Sequence, residues 1–136
     1  MKNRSELREV IMKVLYQIFI MKEARLSYDL DSIKKDLLEI ENEFVNQVTS
    51  GVLDHFDFLI SFANKYLDGW SMERFNFVDQ AIICMGLYEL KYTDTPPIVA
   101  INEAVELSKK YSDEDMRKLI NGLLDKYYHQ EIENGK

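Results

Sequence analysis

The sequence has a single cysteine, Cys84, which excludes an intramolecular disulfide framework and suits a reducing compartment. The start of the chain carries charged residues instead of the apolar segment that a signal peptide needs. No apolar run approaches the roughly 20 residues that a membrane-spanning helix requires. Together these absences predict a cytoplasmic location.

Catalytic and metal-binding motifs are also missing. The two histidines, His55 and His129, are far apart in sequence, and Cys84 has no histidine or cysteine partner nearby. There is no phosphate loop, dinucleotide fingerprint or G-x-S-x-G motif. Acidic residues are concentrated between Asp29 and Glu43, but their spacing does not fit an EF-hand and predicts a solvated helical face. The sequence therefore predicts a non-enzyme that uses no cofactor and no metal.

Positive charge is in deficit. The chain has 17 lysines and arginines against 24 aspartates and glutamates, for a formal net charge of -7. Because neutralising phosphates supplies much of the affinity of nucleic-acid-binding proteins, this balance is unfavourable for RNA binding by the chain alone. It suits a basic protein partner, since charge complementarity raises the rate of association.

The sequence does contain helical periodicity from end to end, without the alternation that is typical of strands. Asn3 and Glu6 have the spacing of a capping box at the start of a first helix. A short second helix is predicted to begin at Asp31 or Ser32.

A long third helix is predicted for about residues 43–67. Gly51 inside it costs roughly 1 kcal/mol relative to alanine, which indicates a close crossing with another helix.

The second half of the chain predicts three more helices. Asn76 is placed to cap a helix over 77–92 that is apolar on nearly every side, which is typical of a helix in the middle of a bundle. Pro96 and Pro97 break the chain after it. The next helix has an apolar stripe, and Asp113 is placed to begin the last one. The residues of that stripe are Val99, Ala100, Ala104, Val105 and Leu107.

Four stretches carry a resemblance to a known family. They are REVIMKVLYQ from Arg8, VDQAIICMGLYEL from Val78, VAINEAVELSKKY from Val99 and NGLLDK from Asn121. In this order and spacing they resemble the NusB family of bacterial transcription antitermination factors. The resemblance implies an all-α bundle of six or seven helices over residues 1–136. Two small helical subdomains are expected within it, with helices at about 3–67 and 71–130.

The resemblance also implies a surface for boxA-type RNA. The locally positive N-terminus by itself is typical of a solvated first turn, but in NusB proteins this region and the start of the last helix contact RNA. The matching positions here depart from the family pattern at Leu119, where phenylalanine is common and could stack on a base. The predicted RNA-binding residues are Lys2, Arg4, Arg8, Asp115, Lys118 and Leu119.

A protein partner follows from the same resemblance. NusB proteins form a heterodimer with NusE, a ribosomal protein, and act with it in the RNA polymerase antitermination complex on ribosomal RNA operons. The positions matching the NusE-facing surface are Tyr16, Asp79 and Tyr88. Plain packing is the alternative use of both tyrosines.

Two other functions stay open at this stage. A NusB-like domain also begins a family of ribosomal RNA cytosine methyltransferases, but the sequence ends soon after NGLLDK, without room for a cofactor-binding domain. The chain could instead be a protein-interaction module or a homodimer with weak or no RNA binding. Two departures from the family pattern favour that second alternative: a thinned arginine cluster, with Ser5 and Glu6 at positions that are often basic, and the replacement at Leu119.

Overall fold

Seven α-helices form the chain in the computed structural model, which describes residues 2–134. They are α1 (Arg4–Glu23), α2 (Leu30–Leu37), α3 (Glu43–Asp54), α4 (Phe56–Lys65), α5 (Phe77–Tyr92), α6 (Pro97–Tyr111) and α7 (Glu114–Tyr127). A 3-10 turn, Met72–Arg74, precedes α5, and a π-helical turn, Tyr128–Glu133, follows α7. No strand occurs between residues 2 and 134, so the prediction of an all-α fold is confirmed.

Helix α5 lies at the centre of the bundle. Every residue from Asp79 to Leu90 is buried, and α5 packs against α1, α3, α4, α6 and α7. This confirms the position predicted from its uniformly apolar sequence. Because α5 contacts helices from both halves of the chain, it joins them, and the division into two subdomains stays a prediction. No helix within residues 2–134 has an apolar stretch long enough to cross a bilayer.

Side-chain caps fix where several helices begin. Asn3 and Glu6 form the capping box at α1, and Asn76 and Asp113 accept hydrogen bonds from the first turns of α5 and α7, as predicted. Helix α2 begins earlier than expected, because the carboxylate of Asp29 caps it.

The prediction of one long third helix is wrong. The chain bends at His55, which has φ -109° and ψ 19° and ends α3 one residue before α4 begins. The His55 ring stacks on Tyr92 of α5 with ring centroids 4.3 Å apart. A contact with a distant helix therefore accompanies a break for which the local sequence carries no proline.

Gly51 confirms the close crossing predicted for it. A Cβ at this position would lie 2.2 Å from ring carbons of Tyr88, so α3 and α5 approach closely only because Gly51 has no side chain. The apolar stripe of α6 has one exception. Val99 is 39% exposed, whereas Ala100, Ala104 and Leu107 are buried and Val105 is half-buried.

Candidate nucleic-acid interface

The N-terminus of α1 presents two of the predicted RNA-binding cations to solvent. Lys2 and Arg4 are exposed, next to the capping box that begins the helix. The Arg4 guanidinium lies 3.9 Å from the ring centroid of Phe44 on α3, so it is held against the protein while its other face stays open. Lys2 and Arg4 are therefore both accessible from solvent.

Arg8 differs from these two residues because it is buried. Its Nε donates to both carboxylate oxygens of Glu89 on α5, at 2.8 and 3.2 Å, and its Nη1 donates to Glu103 on α6 at 3.1 Å. Burial raises the pKa of the Glu89 carboxyl above its ordinary value, although the Arg8 hydrogen bond opposes that rise. Arg8 joins three helices in the interior and does not line the surface that carries Lys2 and Arg4.

A second polar cluster connects α1 to the end of α6. The Glu9 carboxylate accepts hydrogen bonds from Lys110 Nζ at 2.6 Å and from the Tyr111 hydroxyl at 2.5 Å. The Lys110 hydrogen bond, with that of Tyr111, holds the pKa of Glu9 below its ordinary value. Glu9 also lines a surface cleft with Lys2 and Lys13. This face therefore carries the lysines Lys2, Lys13 and Lys110 together with two carboxylates, Glu9 and Glu6, which also lines the cleft.

The predicted residues on α7 occupy its first two turns. Asp115 and Lys118 are exposed, and Leu119 is half-buried. The Lys118 Nζ lies 3.6 Å from Glu114, a weak pair at an exposed position. Lys118 and Leu119 line a cleft together with Trp70, a residue that no motif in the sequence marked as functional.

The three residues predicted to meet a protein partner have different environments. Tyr16 is 37% exposed on α1, whereas Tyr88 is buried against Gly51 and its ring packs on Tyr92. Asp79 is 4% exposed and accepts a hydrogen bond from the Ser112 hydroxyl. Burial raises the pKa of the Asp79 carboxyl, and the Ser112 hydrogen bond only partly opposes this.

The remaining candidates for chemistry are structural. Cys84 is fully buried on α5, and burial raises its pKa to about 12, so its thiol stays protonated and unreactive. Within residues 2–134, no group of three or more His, Cys, Asp or Glu residues is arranged to hold a metal ion.

Comparison with known proteins identifies the family of the chain. The model of the NusB family matches residues 5–129. The transcription antitermination protein NusB of Pediococcus pentosaceus is 38% identical over 125 residues, which cover 90% of this chain and 94% of that protein.

Solved structures give the same result. NusB of T. maritima is similar with a TM-score of 0.82 and 27% identity, covering 96% of this chain and 94% of that one. A chain in a crystal structure of the antitermination factors NusB and NusE in complex with dsRNA has a TM-score of 0.79 and 25% identity, covering 93% of this chain and 96% of that one. This chain belongs to the NusB family.

Proposed function

We propose that this chain is a non-catalytic transcription antitermination factor that binds boxA-type RNA together with NusE on ribosomal RNA operons. Its place is in the antitermination complex of RNA polymerase, in the cytoplasm. One observation carries the proposal: its backbone matches, over 93% of its length, a chain from the crystal structure of NusB and NusE with dsRNA. The family match over residues 5–129 supports it.

Lys2, Arg4 and Lys118 supply the phosphate contacts in this proposal. All three are exposed, and each exposed cation that neutralises a phosphate adds an electrostatic, salt-sensitive increment to RNA affinity. Asp115 and Leu119 lie near Lys118 on the first two turns of α7 and form part of the surface that the RNA contacts. Arg8 acts from within, because its pairs with Glu89 and Glu103 fix how α1 presents Arg4.

NusE binds at Tyr16 and Asp79 in this proposal. Among residues 2–134, no cation forms an ion pair with the Asp79 carboxylate, and its environment consists of burial, the Ser112 hydroxyl and the like charge of Asp113. A buried carboxylate without a cation costs stability unless a partner supplies one. A basic partner would do so, and the net charge of -7 favours such a partner at long range. Tyr88 supports this site through packing.

The test is assembly of the ternary complex. Labelled boxA-type RNA is mixed with the chain, with purified NusE and with both, and the products are separated by native electrophoresis. We expect a slower band that contains both proteins and forms with boxA-type RNA in preference to a scrambled RNA. If the two proteins together shift boxA-type and scrambled RNA equally, the proposed function is wrong.

A homodimer is the second assembly to measure. Light scattering at two concentrations, in the presence and absence of NusE, gives the mass of the complex. We expect a monomer that converts to a heterodimer when NusE is added. Without NusE, a mass of two copies of this chain that persists on dilution would contradict this expectation.

A further inference from the structure

We propose that the cleft between Trp70 and helix α7 is a stacking site for one base of single-stranded RNA. The proposal rests on the proposed function, because the cleft continues the edge of α7 that carries Lys118 and Leu119. Its volume is about 210 Å³. That is below the roughly 300–1,000 Å³ of pockets for drug-sized ligands, and so limits the occupant to a smaller group.

Trp70 is the aromatic platform of this site. It is the only tryptophan in the chain, yet 54% of its surface is exposed. Its ring is held by the buried ring of Phe75, with centroids 6.0 Å apart and planes at 32°. Gly69, at φ +77°, makes the preceding turn, in a conformation that other residues rarely adopt. The ring is therefore supported on one side and open to solvent on another.

Helix α7 forms the opposite wall. Lys118, Gly122 and Lys126 follow one another at intervals of four residues, so they form one stripe along the helix. The two lysines are roughly 12 Å apart along the axis. Each lysine pairs with one acidic residue, Lys118 with Glu114 at 3.6 Å and Lys126 with Asp68 at 3.5 Å. Because these pairs are exposed and weak, phosphates can compete for both ammonium groups.

Gly122 is the strongest sign of a ligand on this stripe. A glycine inside a helix costs roughly 1 kcal/mol relative to alanine. Packing does not require it, because a Cβ at position 122 would meet nothing within 4 Å, in contrast to Gly51. A missing side chain between two lysines keeps the floor of the cleft open. This arrangement is explained if a base approaches α7 at Gly122 while its two neighbouring phosphates meet Lys118 and Lys126.

The chemistry of the cleft favours RNA over a protein segment. The cleft is lined by an indole ring and two lysines, with one carboxylate, Asp68, that pairs with Lys126. An aromatic ring beside basic groups is the combination that single-strand-binding proteins use for a base and its phosphates. Leu119 has no π face to offer, so Trp70 provides the aromatic surface for this edge of α7.

The experiment uses the full chain with NusE and an end-labelled single-stranded boxA-type RNA. We expect Trp70→Ala to weaken RNA binding by about 5- to 150-fold, because base–aromatic stacking is worth about 1–3 kcal/mol. Trp70→Phe should retain most of the affinity. RNA should also quench tryptophan emission, read as the difference between the wild-type and Trp70→Phe complexes, with the same affinity that the label reports.

The salt dependence of RNA affinity distinguishes the contribution of the two lysines from that of the Trp70 ring. In Trp70→Ala the slope of log affinity against log salt should stay at the wild-type value, because stacking releases no counterions. In the Lys118→Gln, Lys126→Gln double variant the slope should fall in magnitude by about 1.4, at about 0.7 for each phosphate contact with a single strand. Gly122→Ala should weaken binding without destabilising the fold, so that lost affinity in that variant cannot come from unfolding.

Three results would overturn the proposal. The first is Trp70→Ala binding RNA within twofold of the wild type. The second is tryptophan emission that stays constant at saturating RNA. The third is weakened binding of NusE, measured without RNA, in Trp70→Ala, which would assign the cleft to a protein partner. If the wild-type chain with NusE fails to bind boxA-type RNA, the proposed function itself fails. If the wild-type chain with NusE binds boxA-type RNA and Trp70→Ala binds it with the same affinity, only the stacking site is overturned.

Discussion

Arg8 on α1 and Glu89 on α5 form a buried ion pair, with Nε 2.8 Å from Oε1 and both side chains at least nine-tenths buried. The pair is 81 residues apart in sequence and fixes the first helix against the central one. Glu103 on α6 extends it at 3.1 Å. The helix that carries the exposed Arg4 is therefore positioned from the interior.

Replacing Arg8 by methionine should destabilise the fold by about 3–5 kcal/mol, because Glu89 would be left buried without its cation. The loss should shrink at acid pH. The pKa of the buried Glu89 carboxyl is raised, so its ionised form lowers the stability of the fold above that pKa. As the pH falls and the carboxyl becomes protonated, this loss of stability disappears. Urea unfolding at neutral and acid pH measures both effects.

Arg4→Met is the matched control for Arg8→Met. It removes an exposed cation and a contact with Phe44 worth about 0.5–1 kcal/mol, so its effect on stability should be small. Arg4→Met should lower RNA affinity more than it lowers stability. Equal losses of stability in the two variants would contradict the distinction between an interior and a surface arginine.

Replacing Asp79 by asparagine should stabilise the free chain and weaken its binding to NusE. The folded-state pKa of Asp79 is raised, so the ionised carboxylate costs stability once the pH exceeds that value. The advantage of Asp79→Asn should therefore be greatest at neutral pH and disappear below the ordinary pKa of 3.8. The hydroxyl of Ser112 can still donate to the amide oxygen.

Asp94→Asn is the control for Asp79→Asn, because it removes the same charge from an exposed loop position. Calorimetry with NusE should show a clear loss of affinity for Asp79→Asn and little change for Asp94→Asn. Equal affinities for the two variants would remove Asp79 from the NusE surface.

Two glycines should respond to alanine in opposite directions. Gly51→Ala forces a methyl group against the buried Tyr88 ring and should cost about 1–3 kcal/mol. Gly122→Ala meets open space and should gain up to about 1 kcal/mol. Midpoints of denaturant unfolding compare them. A destabilised Gly122→Ala would show that packing does require the glycine.

Replacing Glu9 by glutamine should tighten RNA binding, because it removes one of the two carboxylates near Lys2 and Lys13 and the one that pairs with Lys110. The cost to stability should stay under about 1 kcal/mol, since Lys110 is mostly exposed. The pKa of Glu9 is lowered, so its contribution is present above the ordinary value of 4.5 and is lost as the pH falls through the folded value. The difference in stability should therefore vanish at acid pH. Unchanged RNA affinity would place this face away from the RNA.

Local signals in the sequence predicted most of the fold. The capping residues Asn3, Asn76 and Asp113 each begin the helix that their spacing indicated, and the apolar sequence of α5 located the bundle centre. The break at His55 could not be predicted, because no local helix breaker marks it. It accompanies stacking of the His55 ring on Tyr92, which is 37 residues away in sequence. Long-range packing overrides propensity at such points.

The interface was less predictable than the fold. Arg4 and Arg8 have the same residue type and lie one helical turn apart, yet one is exposed and the other is buried against Glu89. Sequence cannot separate them, because the separation depends on a carboxylate from a distant helix. Trp70 was missed for a similar reason. Only the folded chain brings it opposite Lys118.

RNA affinity measured with and without NusE, at two salt concentrations, tests the central claim most directly. The proposed function couples the binding of NusE to the binding of RNA, so NusE should tighten boxA-type RNA binding severalfold or more, and RNA should tighten NusE binding by the same factor. Raising the salt should weaken the ternary complex, because exposed cations carry the phosphate contacts. RNA affinity that does not change on adding NusE, while NusE still binds, would contradict joint RNA recognition.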